Sequence, residues 1–198
     1  MSSFGRARRL EKPLKLLPGC HPRPGRWADL GSGDGVFTEV LGHLLGAGSS
    51  LVALDWDRQA LLRCQDQLSK ARSGPATSFV QADLGRPLPL RGLHGALMAN
   101  VLHFFQDSLK PQVLSHIRQS LLPGGQLILV EYPAERGNRA VPYPLSAPQI
   151  VRLVEDAGFR RVHVAARTPS SFLREMVAIT GWVGQRSSRL GSTEESAV

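Results

Sequence analysis

Three glycines alternate with other residues directly after a short apolar segment, in the pattern Asp29-x-Gly31-x-Gly33-x-Gly35. Apolar residues at helical spacing follow, so the glycines are predicted to form a turn between a strand and a helix. The free N–H groups at the N-terminus of a helix favour an anionic group, and glycine lets a ligand approach the backbone closely. The pattern therefore predicts a site for a nucleotide-like ligand that carries an anion such as a carboxylate.

Acidic residues also end the next two predicted strands. Asp55 lies twenty residues beyond Gly35, where a carboxylate can accept hydrogen bonds from both hydroxyls of a ribose. Trp56 follows it and offers a ring that can stack on adenine. Asp83 ends the third predicted strand, and its carboxylate suits the exocyclic amine of adenine. These positions predict that the ligand contains an adenosine.

The loop distinguishes two classes of cofactor. A dinucleotide site has the pattern G-x-G-x-x-G/A, whose third small residue packs the helix against the strand, but Val36 stands at that position here. The carboxylate of Asp29 would repel a diphosphate, whereas S-adenosyl-L-methionine (SAM) carries an ammonium and a sulfonium. The loop therefore favours SAM, and an NAD(P)-dependent oxidoreductase is the weaker alternative.

Over about residues 26–159 the sequence resembles the class I SAM-dependent methyltransferases, of the small-molecule type. The resemblance is carried by the order and spacing of five short segments, residues 29–35, 54–57, 81–84, 100–103 and 122–125. It implies SAM as the cofactor and methyl transfer to a small-molecule acceptor as the activity.

The resemblance also implies which residues contact SAM. The glycine loop approaches the methionine part, and Asn100 lies near that part and the methyl group. Asp55 holds the ribose, Trp56 flanks the adenine, and Asp83 with Leu84 reads the adenine edge. The cofactor-binding residues that it implies are Asp29, Gly31, Ser32, Gly33, Asp34, Gly35, Asp55, Trp56, Asp83, Leu84 and Asn100.

Short apolar runs alternate with helical patterns from residue 26 onward. They predict an α/β domain with a Rossmann-like, doubly wound, mostly parallel sheet of about seven strands and helices on both faces. The domain is predicted over 26–183, between a basic, proline-rich N-terminal arm (1–25) and a disordered tail (184–198). The strands are predicted at 27–30, 50–55, 78–83, 95–100 and 126–131, with two more near 161–166 and 175–179.

Methyl transfer from a sulfonium is an in-line displacement, so positioning and exclusion of water can supply much of the rate. His103 is the candidate base, because it follows the fourth strand at the ligand-binding edge and imidazole titrates near neutrality. Its alternative role is packing beside two phenylalanines. Glu131 and Tyr132 are candidates for contact with the acceptor. So is Tyr143, in a loop (132–146) that is predicted to be either a lid or a flexible connection.

The composition leaves a second class of acceptor open. The chain has 198 residues with 24 Lys and Arg against 16 Asp and Glu, a formal charge of +8, and many of the basic residues lie near its ends. They predict either a solvated arm or steering toward RNA or an acidic protein. The sequence has no carboxylate–histidine metal cluster, no Asn/Asp-Pro-Pro-Tyr/Phe motif of base-methylating enzymes, and no cysteine after the fourth or fifth strand.

The number of cysteines and the length of the apolar runs predict the cellular compartment of the protein. Two cysteines, Cys20 and Cys64, do not make a disulfide framework, so a reducing cytoplasm is expected. No apolar run is long enough to cross a bilayer, and the N-terminus has no secretory pattern. A mitochondrial transit peptide is a weaker option, because Glu11 and two prolines interrupt the basic segment.

Overall fold

The structure, a computed structural model, describes residues 3–71 and 74–185. The strands are β1 (Arg26–Leu30), β2 (Ser50–Asp55), β3 (Ala76–Gln81), β4 (Leu93–Ala99), β5 (Leu121–Glu131), β6 (Phe159–Pro169) and β7 (Glu175–Val183). They form one sheet in the order β3-β2-β1-β4-β5-β7-β6. β7 is antiparallel to both of its neighbours, and all other pairs are parallel. The predicted Rossmann-like, mostly parallel sheet is confirmed.

Helices cover both faces of this sheet. They are α1 (Ser3–Leu16), α2 (Val36–Leu45), α3 (Arg58–Ser69), α4 (Lys110–Ser120) and α5 (Ala147–Asp156). Successive side chains of β4 show how the faces are divided, since Leu97 packs in the core under α1 and α2 while Met98 packs in the core under α4 and α5. Within the described residues, no helix is both long and apolar enough to span a membrane.

The topology brings distant parts of the chain to one edge. The parallel strands β1 to β5 all end at the carboxyl edge of the sheet. Because β7 runs the other way, its first residues and the turn after β6 lie at this same edge, where Pro169 pairs with Glu175. Residues far apart in sequence therefore surround one site.

The N-terminal segment differs from the predicted arm. It is helical, and Leu16, Leu17 and Cys20 are completely or almost completely buried against Trp27. Leu14 of the same helix is exposed. The division of the chain into arm, domain and tail stays a prediction, and residues 186–198 of the tail lie outside the described residues.

Several strand limits also differ from the prediction. β3 ends at Gln81, so Asp83 follows the strand instead of ending it. β4 ends at Ala99, and Asn100 lies just beyond it in the left-handed backbone region, at φ 58°. Residues 122–125 form an irregularity within β5, because β4 pairs with both Leu121 and Gln126.

Candidate functional site

A cavity of about 770 Å³ opens at the carboxyl edge of the sheet, and segments that follow β1, β2, β3 and β4 line it. Gly35 and His103 are absent from its wall, as are Glu131 and Tyr143, whereas Tyr132 belongs to it. Ten of the residues that the sequence predicts to bind SAM lie in the wall: Asp29, Gly31, Ser32, Gly33, Asp34, Asp55, Trp56, Asp83, Leu84 and Asn100.

The glycine loop curls over the end of β2. The backbone N–H groups of Gly31 and Ser32 both donate to the carbonyl oxygen of Leu54, at 2.7 and 3.0 Å. Gly31, Gly33 and Gly35 all have positive φ, a conformation that side chains with a Cβ rarely adopt.

The three glycines differ in what surrounds them. A Cβ on Gly31 would collide with Val101, and one on Gly35 would lie 2.7 Å from the Sγ of Cys64. A Cβ on Gly33 would meet nothing within 4 Å and would point into open space. Gly31 and Gly35 are therefore required by packing within the protein, whereas the space beside Gly33 is available to a ligand.

Asp55 connects this loop to the next one. It is buried at the end of β2, and its Oδ2 accepts the backbone N–H of Gly33 at 2.8 Å. Its Oδ1 accepts the N–H of Asp57 at 2.9 Å. Each carboxylate oxygen has a second lone pair available for a ligand hydroxyl.

Asp29 is a second buried acid beneath the same loop. Its Oδ2 accepts a hydrogen bond from the Thr38 hydroxyl at 2.6 Å. Burial raises the pKa of Asp29 to about 7, the Thr38 hydrogen bond opposes that shift, and the nearby charge of Asp55 adds to it. A cation bound in the cavity would stabilise the ionised form of Asp29.

Polar atoms without partners collect in this cavity. Among the described residues, four buried side-chain atoms lack a hydrogen-bond partner, and three of them belong to cavity residues: Asp29 Oδ1, Ser32 Oγ and Asn100 Oδ1. Buried polar groups are normally satisfied, since leaving one unpaired costs roughly 1–3 kcal/mol. The cavity is thus suited to a polar ligand that supplies these partners.

Comparisons with known proteins agree with this geometry. Residues 28–125 match the family model described as a methyltransferase domain. The fold is similar to that of a SAM-dependent methyltransferase from Aquifex aeolicus, with a TM-score of 0.71, 17% identity and coverage of 89% of this chain and 92% of that one. Residues 28–125 thus belong to the methyltransferase-domain family, and the whole fold is similar to that of SAM-dependent methyltransferases.

A family member solved with the cofactor has the same fold. Human N-acetylserotonin methyltransferase, in complex with SAM, matches with a TM-score of 0.66 and 18% identity over 93% of this chain and 57% of that one. In that neighbour the fold binds SAM, which is also the cofactor that the sequence predicts for this chain.

Sequence relatives are named carboxy-S-adenosyl-L-methionine synthase. The protein from Erwinia tasmaniensis is 28% identical over 104 residues, which cover 52% of this chain and 42% of the relative. The protein from Pseudomonas fluorescens SBW25 is 32% identical over 116 residues, with coverage of 52% and 43%. The chain matches less than half of the length of these relatives.

The part of the cavity that is predicted to hold adenine includes exposed residues at the rim. Trp56 is 76% exposed at the cavity rim, and Leu84 is buried in the wall. Asp83 is exposed, and its Oδ1 accepts the N–H of Gly85 at 2.8 Å. The indole ring of Trp56 is therefore free to stack on a ligand without losing a packing role.

His103 and Glu131 form a buried pair behind the wall. The Nδ1 of His103 lies 2.6 Å from the Oε2 of Glu131, and both side chains are about 95% buried. The other carboxylate oxygen of Glu131 accepts the backbone N–H groups of Val101 and Leu102, at 3.1 and 2.8 Å. The structure therefore does not support His103 as a base, or Glu131 as an acceptor contact, and both residues instead fix the segment after β4.

The loop 132–146 does not lie over the cavity as a lid. Tyr143 donates its backbone N–H to the carbonyl of His103 at 3.0 Å, and its own carbonyl accepts from the Nζ of Lys110 at 2.6 Å. The loop thus packs beside α4 and the segment after β4. Tyr143 lines a small crevice with His103 and Glu131, outside the main cavity.

Sequence reasoning missed the other side of the cavity. Arg9, Lys12 and Pro13 of α1 line it, with Phe104, Phe105 and Met176. The helical spacing of Leu10, Leu16 and Leu17 was the available signal for a docked helix, and Pro13 within α1 obscured it. Within residues 3–71 and 74–185, no cluster of His, Cys, Asp or Glu could hold a metal ion.

Proposed function

We propose that this chain binds SAM in the cavity and transfers its methyl group to a small-molecule acceptor. The observation that carries the proposal is that three residues in the wall of one cavity at the carboxyl edge, Asp29, Ser32 and Asn100, each hold a buried polar atom without a hydrogen-bond partner. Ligands of open α/β sheets bind at this edge, where the strand order reverses. β1 lies at that reversal, between β2 and β4.

The residues present suit the chemical groups of SAM. Asp29 and Asp55 provide negative charge for a ligand that carries two cations, and Asp55 has lone pairs for ribose hydroxyls. The open space beside Gly33 admits the ligand close to the backbone. Trp56 and Leu84 provide an aromatic face and an apolar wall for adenine.

The chain contributes positioning and shielding. When bound, SAM would supply a methyl group activated by its sulfonium: an acceptor lone pair would form a bond to the methyl carbon in line with the C–S bond, which breaks as S-adenosylhomocysteine leaves. Val101, held through the Glu131 carboxylate, fixes the cavity wall after β4, and Phe104, Phe105 and Tyr132 provide apolar surface that excludes water. In this proposal, alignment provides the rate and no histidine base is used.

The second candidate is transfer to RNA or to an acidic protein. It is favoured by the formal charge of +8, but two of the N-terminal basic residues, Arg9 and Lys12, line the cavity instead of a separate surface. Binding of nucleic acid that falls steeply with salt would favour this candidate. A cytoplasmic location is our expectation for either function, because Cys20 and Cys64 are both free thiols buried in the core.

Two measurements test the proposed function. Calorimetry with SAM and with S-adenosylhomocysteine (SAH) measures binding, and the proposal fails if neither binds the full chain. Incubation with methyl-labelled SAM and a small-molecule extract then identifies the acceptor. Formation of SAH together with a labelled small molecule is the expected result. Formation of a carboxylated SAM, the product named for the sequence relatives, would refute methyl transfer as the activity.

A further inference from the structure

The charges of the cavity wall are separated into two groups. Four acidic residues of the wall lie in or directly after β1, β2 and β3, and they are Asp29, Asp34, Asp55 and Asp83. Among the described residues of the wall, the cationic side chains both come from α1, and they are Arg9 and Lys12. The acids suit the ammonium and the sulfonium of the cofactor, whereas the cationic side chains on α1 suit an anionic group.

Lys12 is held in place without an acidic partner. Its Nζ donates to the hydroxyl of Ser170 at 3.0 Å and lies 5.8 Å from the ring centroid of Tyr132. In the part of the chain that the structure describes, it forms no ion pair. A half-buried ammonium with one hydroxyl partner has donors left for an anion.

The contacts of Lys12 place it on the side of the cavity away from the ribose-binding acid. Asp55 ends β2 and Tyr132 follows β5, and these strands are three positions apart in the sheet. Three strand spacings of about 4.8 Å correspond to roughly 14 Å. Ser170 lies at the turn between β6 and β7, farther still from β2.

Residues that follow β5 and begin β7 add apolar and aromatic surface to the wall near Lys12. Met176, at the start of β7, and Tyr132 both line the cavity, and Phe172 packs edge-on against the Tyr132 ring at 5.4 Å between centroids. A cation beside apolar surface suits a molecule with an apolar body and one anionic group.

We propose that Lys12 binds an anionic group, a carboxylate or a phosphate, of the methyl acceptor. This inference rests on the proposed function, because it assigns a substrate class to the same cavity. Lys12 orients the acceptor from the α1 side, while the acids after β1 and β2 hold the cofactor. The acceptor is accordingly a small acid with an apolar or aromatic body.

Binding of paired probes to the SAH-loaded full chain tests this inference. The probes are phenylacetate, phenyl phosphate and the neutral phenylacetamide, and calorimetry measures their affinities for wild type and for Lys12→Gln. We expect at least one anionic probe to bind wild type more tightly than the amide, and Lys12→Gln to weaken it about tenfold or more. Binding of phenylacetate indicates a carboxylate on the acceptor, and binding of phenyl phosphate indicates a phosphate.

Two variants serve as controls. Lys12→Arg keeps the charge and is expected to retain anion binding within about threefold. Lys15→Gln removes a charge from the same helix, but Lys15 is exposed, pairs with Glu11 and does not line the cavity, so it should change nothing.

The outcomes separate this inference from the proposed function. Lys12→Gln should leave SAH affinity within about twofold of wild type. If it weakens SAH and leaves the anions unaffected, Lys12 serves the cofactor carboxylate and the inference is wrong. If the anions do not bind SAH-loaded wild type, the inference is also wrong while the proposed function stands. If SAH itself fails to bind wild type, the proposed function is refuted.

In the labelled extract, the methylated product should be retained on an anion exchanger, and its yield should fall about tenfold with Lys12→Gln. A labelled product that is neutral would overturn the inference even if methyl transfer is established.

Discussion

The two sides of the cavity are built in different ways. The side assigned to the cofactor comes from three short segments, 29–35, 55–56 and 83–84, that each follow a strand of the parallel sheet. The side assigned to the acceptor joins Lys12, Tyr132 and Met176, which lie on a helix, after a parallel strand and on an antiparallel strand. Local sequence spacing determines the first side, whereas only the tertiary fold assembles the second. The cofactor chemistry is therefore readable in the sequence, and the acceptor chemistry is not.

The largest expected effect is on the cofactor side, at the glycine that faces open space. Gly33→Val would place a branched side chain where a Cβ now meets nothing within 4 Å, so it should fill ligand space. We expect SAH affinity to fall beyond detection by calorimetry.

Gly46→Val is the matched control for this variant. Gly46 also has positive φ, and a Cβ added there would meet nothing within 4 Å, but this glycine does not line the cavity. Gly46 has φ 75° and ψ 171°, a region that is almost restricted to glycine, so Gly46→Val should lose at least as much stability from backbone strain as Gly33→Val. Equal SAH binding by the two variants would show that the space beside Gly33 is not part of the site.

Asp55→Asn should produce the next largest effect. It removes the charge and one of two acceptor oxygens from a buried residue that now accepts two backbone N–H groups. A hydrogen bond to a charged group contributes roughly 1.5–3 kcal/mol, so SAH should bind about ten- to hundredfold more weakly. Titration calorimetry on folded samples, verified by circular dichroism, measures the change.

Asp57→Asn separates this effect from a general loss of charge. Asp57 is two residues away, caps α3 by accepting the N–H of Gln59, and does not line the cavity. Asparagine caps helices as well as aspartate does, so SAH affinity should stay within about twofold. A comparable loss in both variants would contradict a specific role for Asp55.

The sequence predicted the cofactor side of the cavity well and the acceptor side poorly. Near-continuous apolar strands and their helical connections indicated the doubly wound sheet, and the glycine loop with Asp55 indicated its ligand edge. The role of His103 could not be derived, because its partner Glu131 lies 28 positions away and the pairing depends on β4 and β5 being neighbours. Lys12 was missed because its contacts with Tyr132 and Ser170 are set by how α1 docks.

A pH series tests the buried acid on the cofactor side. Burial raises the pKa of Asp29 to about 7, so a growing fraction of it is ionised as the pH rises from about 6 to 8. Since the ionised form attracts a cation, SAM affinity should rise by up to about tenfold across this range. The Asp29→Asn variant cannot ionise at this position, so its SAM affinity should depend little on pH. If SAM affinity rose equally with pH in wild type and in this variant, ionisation of Asp29 would not be the cause of the rise.

The stability of the ligand-free protein should fall as the pH rises, whereas its affinity for SAM should rise. Because the pKa of Asp29 is raised in the folded state, the folded protein holds more protons than the unfolded one between about pH 4 and 7. Wild type should therefore lose stability relative to Asp29→Asn as the pH rises through this window. Urea denaturation of both proteins at several pH values measures the difference.

The smallest expected effect concerns exposed aromatic residues, one from each side of the cavity. Trp56, 76% exposed at the cofactor rim, should contribute by stacking on adenine, and such contacts are worth roughly 0.5–1.5 kcal/mol. Trp56→Ala should therefore weaken SAH binding about two- to tenfold and leave the free energy of unfolding nearly unchanged. Phe172→Ala removes a residue that is 51% exposed and packs on Tyr132 at the acceptor side, so SAH should bind it normally. If Phe172→Ala weakened SAH as much as Trp56→Ala, the two sides of the cavity would not be separate sites.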